Sequence, residues 1–145
     1  MKRYDARYVI QEINNLPYYQ RKVSDLKEKI DEVQAQIDNA TAPHSPQGIE
    51  ATGAAKAISF SGKESYLNLK ITEKDTLMKR FTKYSERYSE AQMYYFMLLD
   101  STEEKPFVVD YFSGKYTKQE LEMRYNITKA YRKIVGVVMD STLDV

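Results

Sequence analysis

The chain contains no cysteine. That excludes disulfides, thiolate zinc sites and a cysteine nucleophile, and it fits a reducing compartment. Helix breakers are scarce, with five glycines and four prolines in 145 residues. This length suits one domain, or a long helical element with a small module attached. Neither sign of charge dominates. Twenty-two basic residues face 21 acidic ones, for a formal charge of +1. The global charge therefore does not announce a nucleic-acid binder, and only a local basic face can carry that argument. No run approaches the roughly 20 apolar residues of a membrane span. After the basic start no apolar run of about 7–15 residues follows, so the N-terminus does not read as a signal peptide. The expectation is a soluble, cytoplasmic protein with no membrane partner.

Catalytic groups are also lacking. His44 is the one histidine, in a proline-rich stretch with no carboxylate at fixed spacing. It reads as a solvated loop residue, which leaves the serines without an activating base and offers no metal site. Gly48 and Gly53 have the spacing of a phosphate loop, but Ala54 and Ala55 replace the Lys and Ser/Thr that touch phosphate and magnesium. Gly62-Lys63 is followed by Glu64 and lacks the upstream glycine. The chain is therefore expected to be no enzyme and to carry no cofactor.

What is present is helical periodicity. Leu16, Tyr19, Val23, Leu26, Ile30, Val33 and Ile37 recur at alternating steps of three and four, a heptad seam. Pro17 fits the first turn of this helix. Residues 4–14 predict a shorter helix before it, with Val9, Ile10 and Ile13 inward. Leu77, Phe81, Tyr84, Tyr88, Ala91, Tyr95 and Leu98 form a second seam. Its helix is expected to begin near residues 63–67 and to end near 99–100. Tyr94 is off this seam and is expected to cover a neighbouring helix or a partner. Between the two seams, residues 39–66 are rich in small residues, Gly and Pro, and predict a flexible link. The two long helices can bury each other's stripes as an antiparallel hairpin. Either can equally pair with a second chain, as a homodimer.

A different unit begins at Ser101. Ser101 reads as a cap, followed by acidic residues and Pro106, with Phe107, Val108, Tyr111 and Phe112 on one helical face. Gly114 suits the position just past that helix. Thr117-Lys-Gln-Glu120 is a capping box that opens a short helix over 118–125, with Leu121 and Tyr125 inward. Asn126 suits a left-handed turn. Thr128 reads as the next cap, before a helix over 129–140 with Tyr131, Ile134, Val135 and Val138 inward.

This order is the layout of a trihelical helix-turn-helix, whose last helix lies in the DNA major groove. Over residues 113–133, six basic side chains stand against Glu120 and Glu122, a local net charge of +4. Lys129, Arg132 and Lys133 fall away from the apolar face of the last helix. Arg132 suits a guanine edge, while Lys115, Lys118 and the other lysines suit phosphates. Thr128, at the helix start, suits a phosphate too. The fold expected is all-α: a long antiparallel, coiled-coil-like hairpin over 1–100, then a helix-turn-helix module over 101–145.

Residues 12–30, "EINNLPYYQRKVSDLKEKI", and 106–135, "PFVVDYFSGKYTKQELEMRYNITKAYRKIV", carry a resemblance. They resemble the late-gene transcriptional activators of phages of Gram-positive bacteria, the RinA and ArpU type, which look like a sigma-factor region 4 joined to a coiled N-terminal part. The shared features are an aromatic helix end, a short capped helix, an apolar residue with Ser/Thr at the turn, and a basic helix. The pattern departs at Glu122, where a small residue is usual, at Asn126, where Gly is usual, and at Arg132, near an apolar position. The resemblance implies a phage or prophage-encoded regulator that binds DNA at a promoter and activates late genes with host RNA polymerase. The competing expectation is a helical adaptor that binds a host or phage protein through its seams and does not bind DNA.

Overall fold

A computed structural model describes residues 1–41 and 60–143. Among these residues the chain is all-α, with six helices: α1 (Arg3–Asn14), α2 (Leu16–Thr41), α3 (Phe60–Ser101), α4 (Lys105–Phe112), α5 (Lys118–Tyr125) and α6 (Ala130–Met139). The long helices α2 and α3 form an antiparallel pair, followed by three short helices. Both long helices reach further into the glycine-rich stretch than expected: residues 39–41 and 60–66 are helical and not part of a link. His44 and the Gly48/Gly53 spacing lie outside the described residues.

Packing divides the chain into two units, Arg21–Ser85 and Met1–Gln20 with Glu86–Val145. The expected boundary lay at residue 100. In the first unit the two strips of seam meet directly. Lys22 holds its ammonium 5.9 Å from the centre of the Tyr84 ring, and Lys74 Nζ donates to Gln34 Oε1 at 2.5 Å. Residues that rise along one helix thus meet residues that fall along the other. Leu26 and Val33, one heptad apart, are buried, while Val23, Ile30 and Ile37 are half-buried. Two helices alone enclose one row of a seam and leave the other at its edge.

The second unit is built on α1. Ala6, Val9, Ile10 and Ile13 share one face of α1 and are all buried. They join Tyr94 and Leu98 of α3, Phe107 and Val108 of α4, Ile134, Val135 and Val138 of α6, and Leu143 in one core. α1 packs against α6, and α5 against both α4 and α6. Tyr94 covers a neighbouring helix: its ring meets Tyr8 of α1 edge-on at 6.5 Å, and its hydroxyl donates to Glu90 Oε1 at 2.5 Å. At the α1–α2 break, Tyr19 donates its hydroxyl to Glu12 Oε2 at 2.8 Å. Among the described residues no buried side-chain polar atom lacks a partner.

Ser101 is the last residue of α3 and not a cap, because α3 continues through it. Thr102 takes over part of the corner, accepting from the Glu104 N–H at 3.0 Å, and Pro106 sits in the first turn of α4. Gly114 has φ +72° just past α4, a conformation that costs glycine little and other residues more. No helix among the described residues is long and apolar enough to cross a membrane.

Phe107 is 2% exposed and Phe96 is 59% exposed. Phe107→Ala is expected to lower stability by about 3–5 kcal/mol, and Phe96→Ala by no more than about 0.5 kcal/mol, read from urea midpoints. Burial also holds the phenols of Tyr94, Tyr95 and Tyr111 above the ordinary value of 10.0. The folded chain then grips these protons more tightly than the unfolded chain, so the stabilisation is complete below pH 10 and is lost as pH rises past it. Urea midpoints measured against pH should fall on the alkaline side of that value and not before it.

Candidate nucleic-acid interface

The turn between α5 and α6 follows from three local choices. Thr117 accepts the Glu120 N–H on its hydroxyl at 3.2 Å, which starts α5 where the capping box put it. Asn126 ends it with φ 52° and ψ 53°, in the left-handed region, and the Ile127 N–H closes onto the Glu122 carbonyl at 3.0 Å. α6 then opens one residue later than expected. Lys129 is its N-cap position and makes no side-chain cap, and Thr128 is exposed with no cap bond. The capping acceptor comes instead from across the turn: the Ala130 N–H donates to Glu122 Oε1 at 3.2 Å. A carboxylate at a helix N-terminus also opposes the positive end of the helix dipole. The acidic residue at 122 thus has a structural purpose in this chain.

The aromatic packing fixes α5 against α4. Tyr125 meets the Phe107 ring edge-on at 5.3 Å and donates its hydroxyl to Asp110. That hydrogen bond, with burial behind it, raises the Tyr125 phenol above its ordinary value. Arg124 pairs with the same Asp110 at 3.2 Å and lies over the Tyr116 ring at 5.2 Å.

The basic residues separate into two groups. Arg124 and Lys133 are engaged within the unit. Lys133 Nζ is 2.8 Å from Glu104 Oε1 and 5.6 Å from the Phe107 ring centre, and its side chain is only partly exposed. The others are open. Lys115, Lys118, Lys129 and Arg132 are exposed and form no ion pair among the described residues. Lys118 lies 5.9 Å from the Tyr131 ring centre. Tyr131 is 36% exposed and not inward; Ala130 takes the buried place at the start of α6, beside Ile134, Val135 and Val138. Ala130 lies four residues before Ile134 and eight before Val138, so it shares their stripe, and Tyr131 falls at the stripe's edge.

One depression of about 320 Å³ brings Lys118, Lys129 and Arg132 together with Glu122, Tyr131, and Arg3 and Arg7 of α1. A neighbouring one is lined by Asn126, Ile127, Thr128, Lys129, Arg132 and Lys133. Of the residues expected to form the site, Lys118, Thr128, Lys129 and Arg132 line these two surfaces. Lys133 borders the second while paired to Glu104, and Lys115 lines neither. Arg3 and Arg7 were not foreseen. Their signal was available: on α1 they share a turn of helix, off the face of Val9, Ile10 and Ile13. What the pattern did not contain was the neighbour that α1 packs on.

Among the described residues no group of His, Asp or Glu is arranged to hold a metal ion. Comparison with protein-family models, curated proteins and solved structures finds no match to this chain.

Removing the carboxylate tests the turn. Glu122→Ala is expected to cost about 1 kcal/mol, the usual worth of a helix cap, while Glu122→Gln keeps an acceptor and loses less. Amide exchange at Ala130 should quicken in the alanine variant and stay near the parent rate in the glutamine variant.

Proposed function

We propose that the chain is a DNA-binding transcription regulator. α4 to α6 act as a helix-turn-helix, and the first turn of α6 enters the major groove. The observation that carries this reading is the start of α6, where open Lys129 and Arg132 stand beside exposed Tyr131 on a helix whose opposite face is buried. Recognition helices place N-terminal residues against base edges in this way. Arg132 offers a guanidinium fork for guanine O6 and N7, and Lys118 and Lys129 offer point charges for phosphates. Lys115 extends the phosphate-facing set, and Thr128 offers a hydroxyl at the turn. Lys133 keeps a supporting part through Glu104.

The resemblance of residues 12–30 and 106–135 to the RinA and ArpU type supports a narrower form: a phage or prophage-encoded activator of late genes that acts at a promoter with host RNA polymerase.

A second reading rests on a different surface. Met93, Phe96 and Met97 lie at i, i+3 and i+4 on α3 and are all exposed. Such a stripe suits a protein partner, and it favours an adaptor that holds no DNA.

The two readings part on binding. Under the first, Arg132→Ala weakens binding to an upstream phage promoter fragment by about 1–3 kcal/mol and relaxes its sequence preference. Lys129→Ala lowers the salt slope by about 1 and leaves the preference unchanged. Titration by fluorescence anisotropy at several salt concentrations reads both quantities. Parent protein that does not bind the fragment at low salt, while Phe96→Asp abolishes capture of a protein partner, supports the adaptor.

A further inference from the structure

The N-terminal helix carries charge with no role inside the fold. Arg3 is the first residue of α1, where a cation opposes the positive end of the helix dipole, so it gives the helix nothing. Arg7 lies one turn further on. Both are exposed, and neither forms an ion pair among the described residues. The buried face of α1 packs against α6, and this places the two guanidinium groups beside the start of that helix. Arg3 and Arg7 line the same depression as Lys118, Lys129 and Arg132. Arg3 also meets Arg132 at a second depression, floored by Val135, Gly136 and Met139. The one carboxylate in the first depression, Glu122, is occupied by the Ala130 N–H.

We infer that α1 is a second DNA-contacting element, with Arg3 and Arg7 binding backbone phosphates beside the groove that receives α6. This rests on the DNA reading of α6. The five cations are spread over three helices and an open surface. An enclosed pocket would suit a single phosphate, whereas this spread suits an extended polyanion. Guanidinium forks match phosphate oxygens and carry no sequence information, so α1 supplies affinity and orientation and Arg132 supplies preference.

The test uses the full chain and a mixed-sequence DNA duplex of about two helical turns, since non-specific binding isolates the phosphate contacts. The slope of log affinity against log salt is measured for the parent, for Arg3→Gln/Arg7→Gln, for Arg3→Gln alone, and for Lys29→Gln/Lys79→Gln. The last variant removes the same net charge from exposed lysines of the other unit. Loss of two phosphate contacts reduces the slope by about 1.8, and loss of one by about 0.9. The inference stands if the arginine variants show these reductions, the lysine variant keeps the parent slope, and circular dichroism shows parental helicity in all. It falls alone if the parent binds with a steep slope and the arginine variants match it, or if the lysine variant loses as much. It also falls if poly-glutamate is bound with the same slope as the duplex. It falls together with the DNA reading if the parent does not bind the duplex at low salt.

Discussion

The contact between α1 and α6 determines more of this unit than any other. A ten-residue helix is too short to persist in water unaided and needs a tertiary surface. α6 buries Ala130, Ile134, Val135 and Val138, and α1 answers with Ala6, Val9, Ile10 and Ile13. The same contact decides which face of α6 is left open. It also carries Arg3 and Arg7 to that face. The C-terminal helices therefore do not make a self-contained module: part of their core comes from the first 14 residues and from Tyr94 and Leu98 of α3. A boundary drawn after the long helices separates groups that pack together.

Charge is sorted by this packing in a way that composition conceals. Near-neutral overall charge leaves open whether any cation is available to a partner. In the second unit, Glu104 takes Lys133 and Asp110 takes Arg124. Pairs as exposed as these contribute little to stability, because solvent screens them. Their larger effect is to withdraw those two cations, so that the open cations gathered beside the start of α6 are Lys118, Lys129, Arg132, Arg3 and Arg7. A field built from clustered open charge acts over roughly a Debye length, about 8 Å at physiological salt, so adjacency matters more than the total.

The fold was largely legible because its signals are local. Heptad spacing marked both long helices, the Thr117 capping box marked the start of α5, and Gly114 and Asn126 took the left-handed conformations their residue types favour. The errors arose where a local signal had a longer-range competitor. Thr128 looked like a cap, yet Glu122, eight residues before Ala130, supplies the acceptor. Ser101 looked like a helix start, yet α3 runs through it. The helix ends near residues 39–41 and 60–66 were obscured by small residues and glycine, which weaken helices without forbidding them. The candidate surface was half legible. Helical spacing put Lys129 and Arg132 outside the core, but a pattern along one helix does not reveal that Lys133 meets Glu104 or that α1 lies alongside.

Glu122 shows why a departure from a family-like pattern need not weaken the reading attached to it. A small residue in such a turn lets two helices approach, whereas a long carboxylate needs a place to go. Here it reaches forward to the first amide of α6, and the helix begins after Lys129 instead of at it. Ala130, one turn before Ile134, packs into the core, and Tyr131 and Arg132 face outward. An apolar side chain at 132 would face open surface in this register, so Arg is the residue type the register favours. The two departures are met by separate contacts: Glu122 caps the first amide of α6, and the packing of Ile134, Val135 and Val138 into the core fixes Arg132 on the open side.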